Sequence, residues 1–106
     1  MKISFCFGEL FVLYTCIRDG IFYCAVQLIG TSSEASKYKC EFILFAANGI
    51  ERMSETLFVG GYLEDFETIF NSGKCLCLDE AVIRHYIVAN KLNLIVKLSP
   101  VQRDVE

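Results

Sequence analysis

The stretch that decides the fold is Phe22–Phe45, FYCAVQLIGTSSEASKYKCEFILF. A run of apolar, aromatic and β-branched residues stops at Gly30, a polar segment follows, and a second such run begins at Tyr38. Both runs read as strands, because side chains of this kind fit a pleated, half-buried surface. Between them, Thr31-Ser32-Ser33-Glu34 has the form of a capping box, in which a hydroxyl meets an orphan N–H and a Glu reaches back from three residues on. Only Ala35, Ser36 and Lys37 separate it from the next strand. The spacing predicts one helical turn that carries the chain toward an opposing sheet.

Working outward, Leu10–Arg18 and Ile21–Ile29 flank Asp19-Gly20, the dipeptide that suits a two-residue hairpin turn with positive φ at both positions. That register sets Arg18 opposite Ile21 and Val12 opposite Gln27. Asn48-Gly49 repeats the device between Tyr38–Ala47 and Ile50–Val59. Upstream, ISFCFGELFVLYTC after Met1-Lys2 reads as strand and not as a signal peptide, since Ser4, Gly8 and Glu9 interrupt the apolar run and no small-x-small cleavage site is clear. Downstream, Tyr62–Phe70 fits either a short helix or an irregular crossover, with Leu63, Phe66, Ile69 and Phe70 at helical spacing. Cys75–Leu78 reads as a short strand. Asp79 is placed to cap a helix running to about Val88, with Ala81, Val82, His85 and Tyr86 on one face. Leu92–Leu98 alternates as a final strand, with Leu92, Leu94, Val96 and Leu98 turned inward. The expected fold is mostly β: an antiparallel sandwich with one or two short helices over residues 1–99, and a flexible charged tail over 100–106.

The bulk properties limit the function. A chain of 106 residues is one domain. Its hydrophobic content of 54% and mean hydropathy of +0.42 exceed what a domain of this size needs for its interior, so a partner surface is expected. A net charge of −3 offers no basic field for nucleic acid, and no apolar run approaches the ~18 residues of a membrane span. The six cysteines contain no Cys-x-x-Cys, and the chain has one histidine, which speaks against zinc. They read as free thiols acting as small hydrophobes in a reducing compartment, which implies the cytoplasm, and the nucleus besides. Cys75 or Cys77 with Asp79 and His85 contains the residue types of a nucleophile, orienter and base. Nothing in the pattern places His85 beside a thiol, so no catalytic residue and no cofactor are assigned. Glu64, Asp65 and Glu67 read as a solvated acidic face, Gly60-Gly61 as a turn, and Phe42, Phe45, Phe58, Phe66 and Phe70 as core.

Several separated blocks carry a family resemblance: CFG at Cys6–Gly8, AVQLIGT at Ala25–Thr31, EASKYKCEF at Glu34–Phe42, and NSGKCLCLDEAVIRHYIVANKLNLIVKL at Asn71–Leu98. In this order they resemble the C-terminal TRAF-like domain of the seven-in-absentia (Sina/Siah) E3 ubiquitin ligases. The resemblance implies a sandwich that docks substrates and adaptors and dimerises, for ubiquitin-dependent degradation, while a RING domain and zinc fingers elsewhere carry the ligase chemistry and the metal. No counterpart of those modules, or of the strands before Cys-Phe-Gly, occurs in these residues. Ile50–Gly61 lacks the family's Trp and Pro. The expected partners are protein substrates or adaptors bearing Val-x-Pro degrons, added as a strand at an edge formed by Lys2, Ile3, Phe5 and Phe7. A second expectation is a homodimer, or a heterodimer with full-length ligases, across Leu92, Leu94, Val96 and Leu98. The alternative function is a stand-alone truncated homologue that acts as a dimerising regulator without ligase activity.

Overall fold

A computed structural model describes residues 2–101. Strands β1 (Lys2–Cys6), β2 (Glu9–Arg18) and β3 (Ile21–Leu28) form an antiparallel meander. The Asp19-Gly20 turn has φ of 53° and 77°, and the ladder sets Arg18 opposite Ile21 and Val12 opposite Gln27, as the turn chemistry predicts. A turn of the same kind, at Phe7-Gly8 with φ of 54° and 73°, joins β1 to β2. Phenylalanine rarely adopts positive φ, so this hairpin carries no sequence signal.

Helix α1 (Ser32–Ala35) is the predicted turn of helix. Glu34 N–H donates to Thr31 Oγ1 at 3.1 Å, and Thr31 N–H donates to Glu34 Oε1 at 2.9 Å. The Thr31 N–H, together with the Thr31 hydroxyl that donates to the same oxygen at 3.1 Å, holds the Glu34 carboxyl below its ordinary pKa. The chain then enters the second sheet, in which β4 (Tyr38–Phe45) lies between β5 (Arg52–Phe58) and β10 (Leu94–Pro100). The β4–β5 register places Phe45 opposite Arg52, in keeping with a hairpin centred on Asn48-Gly49. The loop is wider than two residues, however. Asn48 Oδ1 accepts from the N–H groups of Ile50 and Glu51 at 2.9 and 3.0 Å, supplying partners that a tighter ladder would otherwise provide. Pro100 closes β10 on an edge, where its missing N–H is tolerated, and Val101 N–H donates to Lys37 O at 2.7 Å. The expected tail thus begins on ordered strand; residues 102–106 lie outside the described residues.

Gly60-Gly61 corrects another expectation. It is not a free turn but a buried two-residue strand, β6, parallel to β3 at Gln27 and Leu28. A Cβ on Gly61 would stand 3.0 Å from Ser32 N, and one on Gly60 would stand 2.1 Å from Ile69 Cδ1. Glycine suits that close approach to the backbone of α1 and to Ile69 of helix α2 (Phe66–Asn71). Asp65 caps α2 by accepting from Thr68 N–H at 2.8 Å. Strand β7 (Leu76–Asp79) pairs with the first half of β3.

Helix α3 (Glu80–Arg84) is shorter than the expected run to Val88, and Asp79 makes no side-chain cap. Ile87–Val88 instead forms β8, paired with β9 (Lys91–Leu92). β-branched residues lose rotamer freedom in a helix, and the intervening Ala89-Asn90 turn has φ of 52° and 63°. The buried face is accordingly Ile83 and Tyr86, not Ala81, Val82 and His85.

The core lies between the two sheets. Phe11, Phe22, Cys24, Val26 and Leu28 meet Cys40, Phe42 and Leu44, with Ala35, Ile83 and Tyr86 closing the ends. Each large side chain fully buried there stabilises the fold by about 1.5–3 kcal/mol. A smaller cluster, Ala25, Ile69 and Cys75 with Tyr23 and Phe66, lies on the other face of the first sheet, beneath α2.

Candidate docking surfaces

Strand alternation assigns the surface residues. Opposed residues share a face, so Ile3 joins Val12, Phe5 joins Leu10, and Tyr14 joins Ala25 on the outer face of the first sheet. Ile3 is 61% and Phe5 71% exposed. β1 is the terminal strand of its sheet and pairs only with β2 among the described residues. Among the described residues no strand lies against its other edge. Of the four edge residues expected from the sequence, Lys2, Ile3 and Phe5 lie on β1. Phe7 lies in the turn, where its ring stacks on Tyr38 at 5.8 Å.

Lys2 and Ser4 point the opposite way, into a cavity of about 200 Å³ between the sheets, walled by Phe11, Leu13, Val26, Leu94, Val96 and Leu98. Leu92, Leu94, Val96 and Leu98 all pack against the core while remaining only partly buried. They face the space between the sheets, as their alternation requires. On the outer face of β10, Ile95 is the exposed apolar residue.

A groove of about 320 Å³ lies on the outer face of the first sheet, between the strands and the segment leading into α2. Tyr14, Gln27, Tyr62, Glu64 and Phe66 line it above Ala25 and Ile69. Gln27 Nε2 donates to Gly61 O at 3.1 Å. Glu64 is not a solvated member of an acidic face. Its side chain is 12% exposed and pairs with Lys74 Nζ at 3.1 Å, while Gly61 N–H donates to its carboxylate. Burial pushes the Glu64 carboxyl up, but the bonds from Gly61 and Lys74 outweigh it and hold the group below its ordinary value. The aromatic residues also divide differently from expectation: Phe42 is core, whereas Phe58 and Phe70 are exposed because they fall on outer faces.

Cys24, Cys40, Cys75 and Cys77 are poorly suited to nucleophilic work. Burial pushes Cys24, Cys40 and Cys75 up to about 12, and burial raises Cys77 too. The thiolate is the reactive form. His85 Nε2 lies 2.9 Å from Glu51 Oε2 at the β4–β5 loop, so its contact is with a carboxylate. Among the described residues, no group of three or more His, Cys, Asp or Glu is arranged to hold a metal ion, and no helix is long and apolar enough to cross a membrane.

Two stacked sheets, antiparallel apart from the short β3–β6 pairing, define a β-sandwich with exposed apolar residues on an edge and an outer face. A family model described as "Sina, TRAF-like domain" matches residues 4–97, and the chain belongs to that family. Its TRAF-like domain is a protein–protein interaction module, and the zinc sites of the family lie outside this domain. A search of the curated proteins found no match.

Proposed function

We propose that this domain docks substrates or adaptors for a Sina-type E3 ubiquitin ligase, in the cytoplasm and the nucleus, with β1 as the receiving edge. The free edge of β1, beside exposed Ile3 and Phe5, is the observation that carries this reading. An extended segment there would gain main-chain hydrogen bonds for affinity and side-chain contacts for specificity. A Val-x-Pro degron is the proposed occupant. In isothermal titration of the chain with such a peptide, the Ile3→Asp, Phe5→Asp double variant should weaken binding at least about tenfold with an unchanged circular dichroism spectrum. Absence of heat with the unsubstituted chain at millimolar peptide would falsify the assignment.

A second reading, a dimerising regulator without ligase activity, is favoured by the half-burial of Leu92, Leu94, Val96 and Leu98, the last three of which line the cavity between the sheets. A second copy or a full-length ligase would cover that opening. Light scattering after size exclusion tests the homodimer, and a strict monomer at micromolar concentration removes it.

A further inference from the structure

Strands β1 and β10 are each the terminal strand of their sheet, and among the described residues no strand closes the sandwich between them. A cavity is left there. Leu94, Val96 and Leu98 of β10, Phe11 and Leu13 of β2 and Val26 of β3 wall about 200 Å³. Phe11 and Val26 are buried, whereas Leu13, Leu94, Val96 and Leu98 are half-buried. The cavity thus has an apolar floor and a side that meets solvent. A dry apolar cavity of about 150 Å³ is enough to hold a benzene ring. This one has room for a ring or a short alkyl chain, and a helix about 10 Å across cannot enter it.

The two remaining lining residues are polar, and both come from β1. Lys2 stands opposite Leu13 and Ser4 opposite Phe11, so the pleat turns both side chains to the cavity side. Both are exposed, which places them at the mouth. The Lys2 ammonium makes no ion pair with any described residue, and no Asp or Glu lines the cavity. Apolar walls below an ammonium and a hydroxyl select by charge as well as by shape. A carboxylate can accept from both donors while its hydrocarbon body leaves water for the walls. A neutral molecule would leave the ammonium unmatched, and an amine would be repelled by it.

We propose that this cavity is a binding site for a small monocarboxylate carrying one aromatic ring or a short alkyl chain. The body lies between the sheets, and Lys2 and Ser4 hold the carboxylate. The proposal goes beyond both readings above and needs neither a strand on β1 nor a second copy.

The test titrates the full chain with hydrocinnamate and follows leucine and valine methyl groups by carbon–proton NMR. Shifts should gather at Leu13, Val26, Leu94, Val96 and Leu98 and approach saturation by about 10 mM, as suits so small a ligand. Hydrocinnamide, the neutral amide, should bind about threefold more weakly. Lys2→Gln should weaken binding of the acid by a similar factor while leaving the amide and the thermal midpoint unchanged. Val96→Phe, which fills the cavity, should abolish binding of both; Lys2→Gln changes only an exposed side chain and carries the test if Val96→Phe does not fold. Three results overturn the proposal: no methyl shifts at about 10 mM acid, equal affinity for acid and amide, or an affinity indifferent to Lys2→Gln. Shifts at these methyls that follow protein concentration without ligand overturn it too, because they mark a second copy in the same place.

Discussion

The outer face of the first sheet is divided between two treatments. Over β3 and β7, α2 lays Ile69 and Phe66 onto Ala25, Tyr23 and Cys75, and Ile69 is 2% exposed. Over β1 and β2 the same pleat buries Val12 but leaves Ile3, Phe5, Leu10 and Tyr14 exposed, without a helix above them. The two halves have similar apolar chemistry, and the difference lies in where a six-residue helix happens to land. What separates the two halves is therefore coverage and not composition; large uncovered apolar patches are the kind of surface on which proteins meet partners.

Substitutions can break the contrast, and the largest effect belongs to the covered half. Ile69→Ala should destabilise the domain by about 2–5 kcal/mol, through lost burial and the cavity left between α2 and the sheet. The urea midpoint checks this, and an unchanged midpoint would mean that α2 rests on the sheet without contributing to it. Next comes Glu64→Gln, which removes one partner of a half-buried ion pair and should cost about 1–3 kcal/mol. Because the folded Glu64 pKa is lowered, its contribution is present above the unfolded value of about 4.3 and fades as pH falls through the folded one. The cost of Glu64→Gln should therefore be full at pH 7 and shrink under acid, which denaturation at pH 7 and pH 3 would reveal; a penalty equal at both would refute the ionic account. Smallest is Phe5→Ala on the bare half, expected within about 0.5 kcal/mol of the original stability. A loss comparable to that of Ile69→Ala would show that the bare half is structural after all.

Local signals were legible where one residue type suits one backbone state. The Asp19-Gly20 hairpin, the Thr31 to Glu34 capping box and the inward alternation of Leu92 to Leu98 were readable for that reason. The turns at Phe7-Gly8 and Ala89-Asn90 were not, because the first residue of each, Phe7 and Ala89, disfavours the positive φ it adopts. β6 escaped notice since a parallel bridge between residues 27 and 60 leaves no local pattern. Of the candidate sites, the edge residues Lys2, Ile3 and Phe5 could be named from the family resemblance. The groove could not, as it assembles Tyr14, Gln27, Tyr62 and Phe66 from four separate segments.

The amino-acid sequence by itself determined the longer strands, the first turn and helix cap, the β class and the family, because each depends on residues close together or on blocks kept in order. The tertiary structure alone decided which apolar residues are covered, that Glu64 is held by Lys74 and Gly61, and that one part of the first sheet's outer face lies under α2 while another lies open. Coverage is a property of distant segments meeting in space, and it follows from the path of the whole chain.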